Sequence, residues 1–269
     1  MSLSKQGIYY KEIGDGIPVV LLHGAMLNHT MMESCFEPVF QKIGGYRRFY
    51  LDLPGMGSSL SSDETCSSDA IMKVIQDFIN EYLPKEKFAL IGQSYGGYLA
   101  RGLLGDFSDR IKGMCYLCPV IEPLKEKRHV PCHKILEKDE KLKPTPELKQ
   151  LYSGMFVVQT QKTYDRFLQE IYPGIQKVDK EFLTKLQKNA YEFSFLMPDL
   201  QQSFAFPTLF LLGRQDSCVG FEDALAISHS YDHATILITD KAGHNLQIEQ
   251  DELFESVAEN FFIQLKKQK

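Results

Sequence analysis

Short apolar runs alternate with longer amphipathic stretches along most of the chain. Most of the runs are apolar at every position and rich in β-branched and aromatic residues, which is typical of strands covered on both faces of a parallel sheet. The runs are IPVVLLHG (17–24), YRRFYLDLPG (46–55), KFALIG (87–92), IKGMCYLCPV (111–120), PTLFLLG (207–213) and ATILITD (234–240). The segment IYYKEIGDG near the start alternates between apolar and polar residues instead, which favours an antiparallel edge strand.

Helical spacing of apolar residues appears between and after these runs. Residues 69–82 and 249–265 place their apolar side chains three or four positions apart, so one face of each helix is apolar. Strands that alternate with helices predict an α/β fold with a doubly wound, mostly parallel sheet.

The alternation stops between residues 122 and 203. This stretch has several prolines, helical patterns and no convincing strand. From 122 to 149 it contains eight basic and six acidic residues, a mixed charge that is typical of a solvated surface rather than an anion site. We interpret residues 122–203 as a helical insertion and residues 1–121 and 204–269 as the core domain.

Composition and charge exclude several classes of function. The chain has 269 residues and a formal net charge of −5, which gives no basic field for nucleic acid or anionic membranes. No apolar run is long enough for a signal peptide at the start or for a membrane span.

The six cysteines form no regular framework, and Cys115 and Cys118 in a predicted strand point to different faces, which makes a poor zinc or redox pair. We expect a cytoplasmic protein with no nucleic-acid or membrane partner.

The segment GQSYG (92–96) matches the pattern G-x-S-x-G, and the predicted elements around it are those in which this pattern is functional. It follows a predicted strand and opens a predicted helix, as in a nucleophile elbow, where a sharp turn holds the serine in a strained conformation. Gly92 and Gly96 leave room for neighbouring chain, and Gly97 lets the helix pack close to the sheet. Ser94 is therefore the candidate nucleophile.

A serine hydroxyl needs a base, and the base needs an orienting acid. His244 differs from the other histidines because it lies in a glycine-containing loop between the last predicted strand and the C-terminal helix. Asp216 follows the predicted strand 207–213 and lies between the serine and the histidine in chain order. The alternatives for the acid are Asp240, which ends the last predicted strand four residues before His244, and Glu122, which follows the predicted strand 111–120.

Acyl transfer also needs two backbone N–H groups that bind the developing oxyanion. Tyr95, directly after the candidate nucleophile, supplies one by its position. Ala25 supplies the other from the loop after the first long strand, where Gly24 allows a tight turn. His23 in the same loop is interpreted as structural.

The chain resembles the α/β-hydrolase superfamily. The segments that carry the resemblance occur in that family's order, and they are HGA (23–25), DLPGMGSS (52–59), GQSYGG (92–97), GRQDSCV (213–219) and AGHN (242–245). The resemblance implies that residues 122–203 form a helical lid over the active site. It also implies that Asp52 belongs to a structural loop beside the pocket and is not catalytic.

By resemblance, the reaction is two-step acyl transfer. His244, held by Asp216, takes the proton from Ser94, which attacks a carbonyl, and water then releases the acyl group. No metal and no organic cofactor are implied, and the expected substrate is a small acyl compound such as a carboxylic ester. A carbon–carbon bond hydrolase, an aminopeptidase-type amidase and a non-catalytic ligand-binding protein are the alternatives that the sequence leaves open.

Substrate selection is expected to lie in the insertion. Its aromatic and methionine residues either pack the lid onto the core or line an apolar pocket. The candidate substrate-binding residues among them are Tyr152, Phe156 and Phe193.

Overall fold

The computed structural model describes residues 2–268, which contain ten strands. These are β1 (Ser2–Leu3), β2 (Tyr9–Ile13), β3 (Ile17–Leu22), β4 (Tyr46–Leu51), β5 (Phe88–Gln93), β6 (Ile111–Leu117), β7 (Glu137–Lys138), β8 (Val158–Gln159), β9 (Phe204–Gly213) and β10 (Tyr231–Thr239). Eight of them form one sheet in the order β1-β2-β4-β3-β5-β6-β9-β10, and β7 pairs with β8 alone.

The sheet is parallel from β4 to β10, and only β1 and β2 run antiparallel to their neighbours. The predicted α/β fold with a mostly parallel sheet is confirmed. The predicted antiparallel strand near the start is β2, and the two-residue β1 lies outside it at the edge. Predicted and observed strand ends differ by up to four residues, the largest difference being at the end of β4.

The helices follow the strands along the chain. They are α1 (His29–Ile43), α2 (Ser68–Tyr82), α3 (Tyr95–Gly102), α4 (Leu104–Phe107), α5 (Pro146–Met155), α6 (Gln161–Arg166), α7 (Tyr172–Gln176), α8 (Lys180–Asn189), α9 (Glu222–Ile227), α10 (Leu246–Glu249) and α11 (Asp251–Lys267). Within residues 2–268, no helix has both the length and the apolar character that crossing a bilayer requires.

Aromatic residues hold helices to both faces of the sheet. Phe40 of α1 and Phe262 of α11 pack together with ring centroids 4.8 Å apart, and both contact Tyr46 of β4. On the same strand Phe49 points to the opposite face, where it contacts Phe78 of α2. Burying each of these side chains contributes about 1.5–3 kcal/mol, so the sheet is covered on both sides as its apolar strands predict.

Residues 118–203, between β6 and β9, add no strand to the main sheet. This stretch contains α5 to α8 and the short pair β7–β8, which the sequence pattern did not reveal because each strand has only two residues. A buried ion pair joins its end to the core: the Arg101 guanidinium of α3 donates to both oxygens of Asp199 at 2.7 and 2.9 Å.

Candidate active site

Ser94 lies at the turn between β5 and α3 in a left-handed backbone conformation, with φ 52° and ψ −116°. Such a conformation is strained for a residue with a side chain and is held only by its surroundings. The Ser94 N–H donates to the carbonyl of Leu117 at the end of β6, and the Ser94 carbonyl accepts from Val120. β6 and the loop that follows it therefore fix the backbone of Ser94 through both its N–H and its carbonyl.

The two glycines that flank this turn are required by close contact. A Cβ on Gly92 would lie 2.5 Å from the Gly96 carbonyl oxygen, and a Cβ on Gly96 would overlap the Leu22 carbonyl of β3. A Cβ on Gly97 would lie 2.6 Å from Cβ of Pro119, in the loop after β6. Gly97 thus provides room for that loop, in addition to the helix packing predicted for it.

Ser94, His244 and Asp216 form a continuous hydrogen-bonded row. Ser94 Oγ lies 3.0 Å from His244 Nε2, and His244 Nδ1 lies 2.8 Å from Asp216 Oδ2. The other carboxylate oxygen of Asp216 accepts from the N–H groups of Cys218 and Val219 at 2.8 and 3.0 Å. Because Asp216 is fully buried, its carboxylate has a fixed orientation, and the row has the order that proton transfer from serine to histidine needs.

The surroundings of His244 act on its pKa in opposite directions. Burial is the largest single influence and lowers the pKa, but the charge and hydrogen bond of Asp216 together with Cys218 outweigh it, and the net result is a pKa of about 9. The reference value for a histidine is about 6.5. His244 is therefore a stronger base in the protein than a free imidazole.

The two residues predicted to supply oxyanion-binding N–H groups, Tyr95 and Ala25, lie in segments that adjoin the serine. Tyr95 is the first residue of α3, so its N–H has no partner within the helix. Ala25 lies in a turn closed by a hydrogen bond from Leu27 N–H to the Gly24 carbonyl. A Cβ on Gly24 would lie 2.9 Å from Cβ of Ser94, so the Ala25 loop runs directly against the serine.

The two alternative acids lie elsewhere. Asp240 is largely exposed and accepts a hydrogen bond from Gln215 at 3.2 Å. Glu122 accepts from the N–H of Leu124 at 2.9 Å, as a residue that closes a local turn does. Of the three candidate acids, the structure brings Asp216 to His244.

His23 and Asp52 have contacts that fit the structural roles expected for them. His23 is fully buried, its Nδ1 lies 2.7 Å from the Gly24 carbonyl oxygen, and its Nε2 accepts from Leu53 N–H at 3.0 Å. Burial lowers the pKa of His23 to about 4, so it is a neutral link between two loops. Asp52 accepts from both the backbone N–H and the ring of His29 at 2.7 and 2.8 Å.

The three candidate substrate-binding residues lie in aromatic contacts of the insertion. Tyr152 and Phe156 are fully buried, with ring centroids 4.9 Å apart, and Tyr152 also bonds Thr163 Oγ1 at 2.7 Å. Phe193 stacks on Tyr98 of α3 at 4.7 Å and lines a surface cleft of about 340 Å³. The first two pack the insertion internally, whereas Phe193 borders open space between the insertion and the core.

Two polar residues near the site were not singled out from the sequence. The amide nitrogen of Gln93 lies 3.5 Å from His244 Nε2, and its buried Oε1 has no hydrogen-bond partner among residues 2–268. Glu249 accepts a hydrogen bond from the N–H of Gly243, next to His244. Glu249 is the first residue of the predicted helix 249–265, and nothing in the local sequence indicates that it is buried.

Cys118 lies close enough to Asp216 and His244 that ligand atoms of all three fall within 4.8 Å of one another. Asp216 and His244 are already hydrogen-bonded to each other. Burial raises the pKa of the Cys118 thiol, so the neutral thiol dominates at neutral pH. Because metals bind the thiolate, this group suits a hydrogen-bonded row better than a metal site.

Comparison with known proteins agrees with this architecture. Residues 19–257 match the model of the alpha/beta hydrolase family. Over 263 residues the chain is 25% identical to a 2-hydroxy-6-oxononadienedioate/2-hydroxy-6-oxononatrienedioate hydrolase of Escherichia coli O139:H28, covering 94% of this chain and 90% of the relative.

Solved structures extend the comparison. An alpha/beta superfamily hydrolase from Oenococcus oeni PSU-1 superposes with a TM-score of 0.92 at 32% identity, covering 99% of each chain. A thermophilic esterase from Thermogutta terrifontis, at 21% identity and a TM-score of 0.72 over 96% of this chain and 93% of its own, shares the fold. By its match to the family model and by its likeness to the Oenococcus protein, this chain belongs to the alpha/beta hydrolase family.

Proposed function

We propose that the protein is a serine hydrolase that cleaves a small acyl substrate, a carboxylic ester, through an acyl-enzyme. The observation that carries the proposal is the hydrogen-bonded row from Ser94 Oγ through His244 to Asp216, with distances of 3.0 and 2.8 Å. A serine on a strained turn, a buried acid and a basic imidazole are the parts that nucleophilic acyl transfer requires.

In the first step His244 Nε2 takes the hydroxyl proton while Ser94 Oγ forms a bond to the acyl carbon. The N–H groups of Ala25 and Tyr95 bind the oxyanion, whose charge develops next to the N-terminus of α3. The acyl carbon–oxygen bond then breaks, and His244 returns the proton to the leaving alkoxide. In the second step His244 takes a proton from a water molecule whose oxygen bonds to the acyl carbon. The bond from that carbon to Ser94 Oγ then breaks, His244 returns the proton to Ser94 Oγ, and the acid is released.

We further propose that residues 122–203 form the lid of this site. Support comes from the position of the segment between β6 and β9, the strands that lead to Val120 and Asp216. Further support is the hydrogen bond from the Asn245 side-chain amide to the Met155 carbonyl at 3.2 Å, which joins the segment to the residue after His244. The cleft bordered by Phe193 is a separate feature, since neither Ser94 nor His244 lines it.

A fluorophosphonate probe tests the mechanism. It should label the folded protein at Ser94 and should not label Ser94→Ala, with the attachment site read by peptide mass spectrometry. An intact protein that resists the probe would overturn the serine-hydrolase proposal and would favour a non-catalytic binding protein on this fold.

A carbon–carbon bond hydrolase is the second candidate. It is favoured by one observation, the 25% identity over 94% of the chain to a hydrolase named for a dienedioate and a trienedioate. Turnover of p-nitrophenyl esters, aminoacyl amides and ring-fission dienoates by the same preparation separates the candidates. The ester proposal expects the highest kcat/KM on a short-chain ester, and a dienoate preferred over every ester would reverse the order.

A further inference from the structure

Glu249 lies at the end of α10, five residues after His244, and its side chain is buried inside the protein. Both of its carboxylate oxygens accept hydrogen bonds from backbone N–H groups. Oε2 accepts from Gly243 at 2.7 Å, and Oε1 accepts from Val157 at 2.6 Å and from Val158 at 3.1 Å. One carboxylate thus joins two stretches of chain that are about 90 residues apart.

The two stretches have different roles in the proposed site. Gly243 immediately precedes His244, whereas Val157 and Val158 belong to the proposed lid, where Val158 begins β8. A second bond joins the same regions on the other side of the histidine, from the Asn245 amide nitrogen to the Met155 carbonyl at 3.2 Å. The loop that carries His244 is therefore attached to residues 155–158 both before and after the histidine.

The loop of His244 and the proposed lid are closely packed at this point. A Cβ on Gly243 would lie 3.3 Å from Cγ1 of Val157 and 3.5 Å from Oε2 of Glu249, so the loop and the lid touch with little free space. Without the carboxylate, three backbone N–H groups in a buried place would lose their acceptors, at about 1–3 kcal/mol for each one left unsatisfied. A neutral carboxamide has one acceptor oxygen and cannot serve both sides.

Burying a carboxylate without a cation beside it is unfavourable, and hydrogen bonds offset only part of that cost. Within residues 2–268, no lysine, arginine or histidine nitrogen lies within 4.0 Å of Glu249. Burial raises the pKa of Glu249 to about 7, against the opposing effect of its three N–H donors, and the nearby Asp216 carboxylate raises it further. Burial of this carboxyl group is therefore unfavourable in itself, and the contacts that offset the cost join the loop of His244 to the proposed lid.

We propose that Glu249 is a positioning residue for His244: its carboxylate fixes the histidine loop to the lid strand and so holds the imidazole between Ser94 and Asp216. The inference rests on the proposed function, since it assigns His244 the role of base. It predicts that loss of the bridge leaves the fold intact but displaces the imidazole. A displacement of about 1 Å at a reacting group can cost about 10²-fold in rate.

The test compares Glu249→Gln with a matched control, Glu37→Gln. Glu37 is as buried as Glu249, each with 7% of its surface exposed, and it bonds Arg48 and Tyr50 between α1 and β4. Both substitutions remove one buried carboxylate and keep its shape. A loss of activity that arises from reduced stability alone should therefore appear in both variants.

Two measurements are made on the folded variants. The first is the second-order rate of Ser94 labelling by a fluorophosphonate, expected to fall by about 10–100-fold in Glu249→Gln and by less than threefold in Glu37→Gln. The second is the far-downfield proton NMR resonance of His244 Nδ1–H, expected to shift or broaden in Glu249→Gln alone. Equal labelling rates and an unchanged resonance in Glu249→Gln would overturn the proposal.

The conservative variant Glu249→Asp completes the set. Its carboxylate is one methylene shorter, so it keeps the charge but reaches only one of the two sides, and it should remain as slow as Glu249→Gln. Recovery of the full wild-type rate in Glu249→Asp would show that charge, and not the bridge, matters, and would contradict the proposal.

If Glu249→Gln does not fold, hydrogen exchange in the wild-type protein decides the question. The Gly243, Val157 and Val158 amides should share one protection factor because they share one acceptor group, and independent exchange of Gly243 would refute the bridge. A failure of the proposed function itself is distinct from these outcomes, because then the wild-type protein would not be labelled at all.

Discussion

The carboxylate of Asp216 divides its hydrogen bonds between His244 and its own loop. Oδ2 lies 2.8 Å from His244 Nδ1, while Oδ1 accepts from the N–H groups of Cys218 and Val219. A carboxylate fixed on one side by backbone groups cannot rotate away from the imidazole on the other. The hydrogen bond therefore selects the tautomer in which Nδ1 carries the proton and Nε2 is free to accept one from Ser94.

Asp216→Asn should lower kcat by about 10⁴-fold, because the amide no longer holds the imidazole in the required tautomer. The measurement is ester turnover, with circular dichroism to verify the fold. Glu122→Gln is the control, since Glu122 accepts a hydrogen bond from Leu124. Near-normal turnover in Asp216→Asn together with a large loss in Glu122→Gln would reassign the acid.

The rate of Ser94 labelling should rise with pH until about pH 9. His244 acts as a base only when it is neutral. Burial lowers its pKa, but Asp216 and Cys218 together outweigh burial and raise the pKa to about 9. At pH 7 the rate should lie about 100-fold below its plateau, since each pH unit below the pKa lowers the neutral fraction tenfold. A labelling profile with its midpoint near 6.5 would show that Asp216 does not raise the pKa of His244.

The raised pKa of His244 also affects the stability of the fold. The labelling rate rises with pH, whereas this contribution to stability falls with pH. A histidine whose pKa is higher in the folded state than in the unfolded state stabilises the fold at low pH. The contribution of the His244–Asp216 pair should be complete below about pH 6.5 and should disappear as the pH rises through 9. Denaturant unfolding at pH 6 and pH 9.5 measures it, with His244→Gln as the reference that lacks this dependence.

Gly96→Ala should disrupt the turn at Ser94. The added Cβ would overlap the Leu22 carbonyl of β3, a backbone atom that cannot move aside alone. Overpacking of this kind costs about 1–3 kcal/mol and should also slow labelling of Ser94.

The control for this variant is Gly154→Ala. Gly154 lies in α5, and a Cβ there would have no atom within 4 Å. Alanine in a helix is favoured over glycine by about 0.5–1 kcal/mol, so this variant should be as stable as the wild type or more so. If both variants unfold at the same denaturant concentration as the wild type, close packing at the elbow does not explain Gly96.

Asp199→Asn should destabilise the protein by about 3–5 kcal/mol, because it leaves the Arg101 guanidinium buried without its counter-charge. Asp77→Asn is the comparison: Asp77 pairs with Lys73 on the surface of α2, where such pairs contribute less than about 1 kcal/mol. Chemical unfolding measures both. A loss below 1 kcal/mol in Asp199→Asn would mean that the buried pair does not hold the insertion to α3.

The sequence sufficed for the sheet because strands such as β5 and β9 are apolar throughout, which is characteristic of burial on both faces. It also singled out Ser94, Asp216 and His244, since each follows a strand and parallel strands end at one edge of the sheet. Their hydrogen-bonded arrangement depends on the three-dimensional structure and had to be observed there.

Other features of the site were outside the reach of sequence patterns. Glu249 reads as an ordinary surface acid because burial of a single polar residue leaves no periodic signal. Tyr152 and Phe156 were candidates for the pocket, but an aromatic side chain in the core of an insertion has the same local pattern as one that lines a cavity. The contacts of Tyr152 with α6 and of Phe156 with Phe167, just after α6, show that these two side chains belong to the core of the insertion.

The order of the strands has a consequence for how this protein can change. The loops after β5 and β9 carry Ser94 and Asp216, and only β6 lies between those strands, a separation of about 10 Å that one imidazole with a hydrogen bond at each end can bridge. Residues 118–203 leave the sheet after β6 and return at β9. Their length and composition therefore do not change the distance between β5 and β9. Under the proposed function, mutations in the proposed lid, residues 122–203, should alter which substrate is selected while the distance from Ser94 to Asp216 stays constant, which makes the lid the region in which to engineer a new substrate preference.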